Sequence, residues 1–249
     1  MQSPDFLRRI PPVTRNIIII CLLIWVVCMF APRFGNTLTS VLGLHFVKAP
    51  DFNPVQLITY LFMHDLHSIT HILFNMFTLW MFGRVLEQVW GSKRYMVFYF
   101  VCGIGAALVQ ECVWGLTWQN EYLSGIARLN GLTLDSMRAA VEANPDYFAP
   151  GINSFCDQLL TVGASGAIFG LLLGFAFIFP NLPMYLFFIP VPIKAKYMVL
   201  GYAVLEFFLG MNGMQLSVAH FSHLGGMLFG LPILLYWKKK GTLGGNRFF

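Results

Sequence analysis

The sequence predicts an all-α integral membrane protein, a bundle of six transmembrane helices with both termini in the cytoplasm. Three observations carry that expectation. Of the 249 residues, 57% are hydrophobic and only 11% are charged, against about 25% charged in an ordinary soluble domain. The apolar residues gather into six runs, each near the roughly 20 residues that cross a bilayer. The sixteen Lys and Arg are unevenly spread between the connections. A soluble globule of this size could not bury so much apolar surface, and disorder requires the opposite composition. The net charge of +5 is small and is read by position, so no nucleic-acid partner is expected; the expected surroundings are a lipid bilayer.

The runs are taken as spans at about 13–30, 68–85, 95–117, 159–179, 197–211 and 217–237, within one membrane domain covering 1–249. The first follows Arg8, Arg9 and Arg15 and resembles a signal peptide. Ala31-Pro32-Arg33 is a poor cleavage site and further spans follow, so a retained signal anchor is expected. With the N-terminus inside, twelve Lys and Arg fall on the cytoplasmic face. Only Arg33, Lys48, Arg128 and Arg138 fall outside, as the positive-inside rule demands. Residues 31–58 read as a long outer loop with an apolar LGLHFV stretch. Residues 118–158 read as an outer insertion that decorates the surface, in which Thr133 can cap a short helix ending before Pro145. The stretch 182–193 holds Pro183, Pro190 and Pro192 and reads as an inner connector without a clean helix. The five cysteines have no ligand spacing and read as small packing residues.

Polar residues at membrane depth are costly and are functional candidates by default. They are His64, His67, His71 and Asn75 at the second span, Ser165 within GASGAIFG, and His220 and His223 within AHFSHLGGMLFG. Glu111 and Glu206 also lie in or near spans. Gly166, Gly170 and Gly174 recur every four residues, and Gly226 and Gly230 give the sixth span a matching face. Such faces let helices approach closely, so a short Ser on one can meet an imidazole on the other. Taken alone, GASG reads more readily as a packing motif whose hydroxyl bonds its own backbone. The soluble-hydrolase elbow is excluded, because Ala167 stands where G-x-S-x-G needs glycine. The histidines alone also permit an intramembrane metal site or plain interfacial positions.

Together, THILFN, GASGAIFG and SHLGGMLFG resemble the rhomboid family of intramembrane serine proteases, in order, spacing and span number, over about residues 57–237. The resemblance implies Ser165 as nucleophile and His223 as general base. It implies an oxyanion hole from His71, Asn75 and the Ser165 N–H, and Glu87 as a structural acid. Gly163 and Gly166 flank the nucleophile, and Phe169, one turn on, is the family's aromatic that stacks on the catalytic imidazole. The register with Gly226 and Gly230 favours His223 over His220 as the base. No acid lies beside His223 in sequence or on its helix face, so a Ser–His dyad is expected, without cofactor or metal. Many rhomboids carry Trp-Arg before the second span; this chain has NPVQLITY, with Gln56 and no Arg.

The expected function is therefore an intramembrane serine endopeptidase that cleaves transmembrane segments of other membrane proteins. Its substrates carry helix-breaking or small residues near the cut, and loop 211–218 is the candidate movable cap. The expected location is a bacterial inner membrane, since no transit-like leader is evident. The alternatives are a non-catalytic rhomboid-like protein that binds transmembrane clients and, behind it, a histidine-based metal transporter.

Overall fold

A computed structural model describes residues 10–186, 189–211 and 219–244. Helices occupy all six apolar runs: α1 (Pro12–Phe30), α4 (Ile69–Trp90), α5 (Ser92–Leu129), α8 (Ser165–Ile178), α9 (Ala195–Met211) and α10 (His220–Lys239). Three of them, α1, α4 and α5, are long and apolar enough to cross a membrane, and α8 is apolar but shorter. Large apolar side chains stay exposed along the helices, among them Leu23, Val27, Leu200 and Phe208. Contiguous apolar surface of this kind suits lipid and not water.

The centre of the bundle is α5, α8 and α10, with α9 packed on α8 and α10, and α4 on α8. Small residues set the spacing. A Cβ on Gly105 would run into the Phe229 ring, one on Gly170 into Cys102, and one on Gly230 would lie 3.0 Å from Cys102 Sγ. At the C-terminal end of α10, Trp90 stacks edge-on to Trp237 and Phe98 packs beside both. Cys21, Cys28, Cys102 and Cys156 are buried free thiols, whereas Cys112 is exposed.

The N-terminus of α1 has no capping side chain of its own. Glu87, 2% exposed, supplies the cap from α4. Its carboxylate accepts from Val13 N (3.0 Å), Thr14 N (2.8 Å), Thr14 Oγ1 (2.8 Å) and Ser92 Oγ (2.6 Å). One acid thus ties α1, α4 and α5 together. Glu87→Ala leaves these donors unpartnered and is expected to destabilise the fold by about 3 kcal/mol, read by equilibrium unfolding in micelles.

Four connections differ from the sequence reading. Residues 31–58 are not a plain loop, for they begin with helix α2 (Pro32–Leu42), followed by strand β1 (Leu44–His45) and the short helix α3 (Gln56–Thr59). Gln56 organises this segment. Its amide accepts from His45 N and Asn53 N and donates to Val41 O and Asp51 O. Second, the fourth run is helical only from Ser165. Leu160–Thr161 is instead strand β2, antiparallel to β1. An apolar run such as LLTV reads alike as strand or helix, and the partner strand decides. Third, the connector at 182–193 lacks a helix among its described residues, as expected, and its described parts pair as antiparallel strands, β3 (Pro183–Leu186) with β4 (Ile189–Lys194).

The fourth difference concerns the insertion. Its first part continues α5, which at 38 residues is about 57 Å long, well beyond a hydrocarbon core of about 30 Å. Helix α6 (Leu134–Ala143) follows, with Thr133 accepting from Ser136 N at its start as expected. Helix α7 (Pro145–Gln158) returns to pack Phe155 on Tyr122. The insertion is more than decoration, because α7 delivers the chain to β2 and so to Ser165. Phe46 N donates to Leu159 O, and Phe46 itself packs on Trp114 and Trp118. Glu111, on the same helix, accepts from Val47 N at 2.8 Å.

Candidate active site

Ser165 opens α8. Its backbone N–H lacks an i−4 partner in the helix, and the positive end of the helix dipole lies at its side chain. The segment before it is held open by Gly163, whose N–H donates to Tyr60 O and whose φ of 127° suits glycine. A Cβ there would also stand 3.0 Å from His71 Nε2.

The glycine faces do what their spacing suggests. A Cβ on Gly226 would overlap the Gly166 carbonyl, and one on Gly166 would strike Ala106. The backbones of α8 and α10 are thus in direct contact, and the short Ser165 side chain reaches His223, with Oγ 2.8 Å from Nε2. The Phe169 ring stacks on the His223 imidazole, centroids 4.3 Å apart and planes 3° from parallel. His223 is thereby fixed on one face by an aromatic ring and on one edge by the serine.

His71 and Asn75 share a face of α4. Asp65 N–H donates to His71 Nδ1 at 3.3 Å, which requires the ring proton to sit on Nε2, the nitrogen directed towards Gly163. Asn75 Nδ2 donates to His71 O at 2.8 Å, and its Oδ1 is buried without a partner among the described residues. His71, Asn75, Gly163, Ser165, Ser222 and His223 line a cavity of about 610 Å³. His64 is buried beside His71, ring centroids 5.4 Å apart. Burial, with His71 next to it, pushes its pKa down to about 3, so it is a neutral packing residue. His67 is exposed and is not in the site.

The acid is the residue that sequence reasoning assigned no role. Glu206, from α9, places Oε2 2.6 Å from His220 Nδ1 and 3.0 Å from His223 Nδ1. The sequence offered no acid beside His223 in the chain or on its helix face; Glu206 reaches it from another helix. Its signal was present in the sequence as the single acidic residue of the 197–211 run. Glu206, His220 and His223 are also the described residues whose ligand atoms converge, within 4.8 Å of one another. The 2.6 Å contact with His220 is a hydrogen bond, and the 3.0 Å contact with His223 is an ion-pair distance without hydrogen-bond alignment. Ligands around a tetrahedral zinc bound at about 2.0–2.1 Å stand about 3.3 Å apart, so the arrangement is that of a carboxylate–imidazole network.

A serine hydroxyl thus meets an imidazole where two glycine-faced apolar helices touch, the contact that activation of a serine by a general base requires. A family model for the rhomboid domain matches residues 51–240, more than half of the chain. The chain belongs to the rhomboid family. No individually curated protein gives a significant match. The rhomboid domain and the apolar helices together make it an integral membrane protein. The match begins within the segment that Gln56 staples and takes in α4 to α10. The capping role expected for loop 211–218 falls on residues 212–218, outside the described residues.

Proposed function

We propose that this rhomboid protein is an intramembrane serine endopeptidase, cleaving transmembrane segments with Ser165 as nucleophile and His223 as general base. The observation that carries the reading is the 2.8 Å contact between Ser165 Oγ and His223 Nε2. In the first step Nε2 takes the hydroxyl proton as Oγ bonds to the scissile carbonyl carbon, and the π pair moves onto the carbonyl oxygen. The oxyanion is held by the Ser165 N–H, His71 Nε2–H and the Asn75 amide, each donor worth about 3–4 kcal/mol. The C–N bond then breaks and Nε2 returns the proton to the departing amine. Water, deprotonated by the same nitrogen, releases the acyl group and restores the hydroxyl. Phe169 keeps the imidazole in plane throughout, and Gly163 and Gly166 leave room for this geometry. Glu87 acts at a distance, through the fold.

Depth and access support the same reading. Helix α8 has 14 residues, about 21 Å, short of a core of about 30 Å. We place Ser165, at its N-terminal end, below the membrane surface, with the 610 Å³ cavity as the path by which water reaches it. A second, largely apolar crevice of about 330 Å³ runs between α4 and α9, past Phe74, Met81 and Leu205 to Ser165. It suits an apolar segment entering sideways. Freed backbone groups are costly in lipid, so substrates with small or helix-breaking residues unwind into the site most readily.

We place the protein in a bacterial inner membrane as six spans with both termini in the cytoplasm, on the distribution of Lys and Arg. The test is reconstitution in liposomes with a helix-destabilised transmembrane substrate. Cleavage within the apolar segment is expected. Stable binding of the substrate without cleavage would instead make the protein a non-catalytic client binder.

A further inference from the structure

We propose that Glu206 is a positioning residue for His223, so that the site is a serine–histidine–carboxylate arrangement built from three helices. The inference rests on the protease reading above and names the group that sets the state of its base. Nε2 must be unprotonated to accept from Ser165 Oγ, 2.8 Å away, so the proton of a neutral His223 must sit on Nδ1. Among the described residues, the acceptor facing Nδ1 is Glu206 Oε2, at 3.0 Å.

The contact is oblique, and Nδ1 makes no in-line hydrogen bond at rest. Its nearer partner, His220, holds the same oxygen at 2.6 Å. The two rings stand at 88° to each other, and one carboxylate oxygen is hydrogen-bonded to His220 and also faces His223 Nδ1. This geometry has a chemical use. When Nε2 takes the serine proton, His223 becomes a cation on a face already closed by Phe169. Glu206 is partly buried, its side chain 14% exposed, and a carboxylate so placed attracts an imidazolium more strongly than a neutral ring. The oblique contact then draws in line, as catalytic hydrogen bonds commonly do between resting and reacting states. Glu206 accepts no proton at any stage. It favours the useful tautomer and the charged form that follows.

Glu206 also lines the apolar crevice that reaches Ser165, so it stands where a substrate segment passes. His220 holds the carboxylate in place from one turn away, which gives this second histidine of AHFSHLGG a role without making it the base.

The test uses the full chain in liposomes with the cleavable transmembrane substrate, measuring kcat, KM and melting temperature. Glu206→Gln keeps the shape and removes the charge. It is expected to lower kcat about 30-fold with KM and melting temperature unchanged, and Glu206→Asp is expected to recover part of the loss. His220→Asn removes the shorter bond that holds the carboxylate in place but keeps the charge facing His223, so kcat should fall by less than in Glu206→Gln. Wild-type kcat in Glu206→Gln would overturn the proposal. So would equal kcat losses in Glu206→Gln and His220→Asn that track a falling melting temperature, because Glu206 would then only bolt α9 to α10. The parent reading is judged separately, by loss of cleavage in Ser165→Ala. Full activity in Glu206→Gln beside an inert Ser165→Ala would remove Glu206 alone.

Discussion

Ser165→Ala is expected to reduce cleavage of a reconstituted transmembrane substrate by about 10⁴-fold or more, to the background of the assay. The substitution removes one oxygen at the start of α8 and leaves the α8–α10 contact intact, so folding and substrate binding should survive. The loss falls on kcat, because the missing bond is the one formed in the first chemical step. His71, Asn75 and the Ser165 N–H would remain as donors, but with no nucleophile there is no tetrahedral oxyanion for them to hold. Undiminished cleavage by this variant would end the assignment.

The second large effect is structural in origin and catalytic in outcome. A Cβ on Gly226 would overlap the Gly166 carbonyl oxygen. The obstacle is backbone on both sides, so neither helix can yield by rotating a side chain. Gly226→Ala is expected to cost about 3 kcal/mol, the upper end for overpacking, and to push α8 and α10 apart. A displacement of about 1 Å at the reacting atoms can cost about 100-fold in rate, and Ser165 and His223 sit on these two helices. Activity should therefore fall further than the loss of stability alone explains. Gly201→Ala is the control. Nothing lies within 4 Å of a Cβ built there, and alanine is the better helix former, so stability and cleavage should hold or rise. Thermal unfolding and initial rates on the same preparations separate the two effects.

The contrast between these glycines shows what the sequence could and could not convey. The four-residue repeat of Gly166, Gly170 and Gly174, set against Gly226 and Gly230, foretold a close helix pair. From it followed the meeting of Ser165 with His223, whereas the stacking of Phe169 was implied by the resemblance to the rhomboid family. These relations are local to two helices whose register the repeats determine. Thr133 was equally readable, because a cap and its helix are neighbours in the chain.

Glu206 was not readable in the same way. Its place beside His223 depends on how α9 is rotated against α10, and neither helix carries a repeat that specifies this. The strand at 160–161 was hidden for a related reason: its apolar residues suit a helix as well, and its partner lies more than 100 residues earlier. The amphipathic helix α2 was obscured by the proline and glycine around it, although Pro32 stands where a helix tolerates it best, in the first turn. The role of the insertion depended on where α7 ends in space, a tertiary fact. For Glu206, the strand and the insertion the missing information was a contact between distant segments, whereas the expectations drawn from spacing lay within one segment or between two matched ones.

The chemistry needs an activated serine, and that can be measured without knowing a natural substrate. The folded protein in micelles is treated with a fluorophosphonate, and the adduct is mapped by mass spectrometry. A single phosphonylated residue at Ser165 is expected, with labelling lost in Ser165→Ala and strongly slowed in His223→Ala, because the base at 2.8 Å generates the nucleophile. A folded protein that takes no label at Ser165, or takes it at an unchanged rate without His223, would contradict the account.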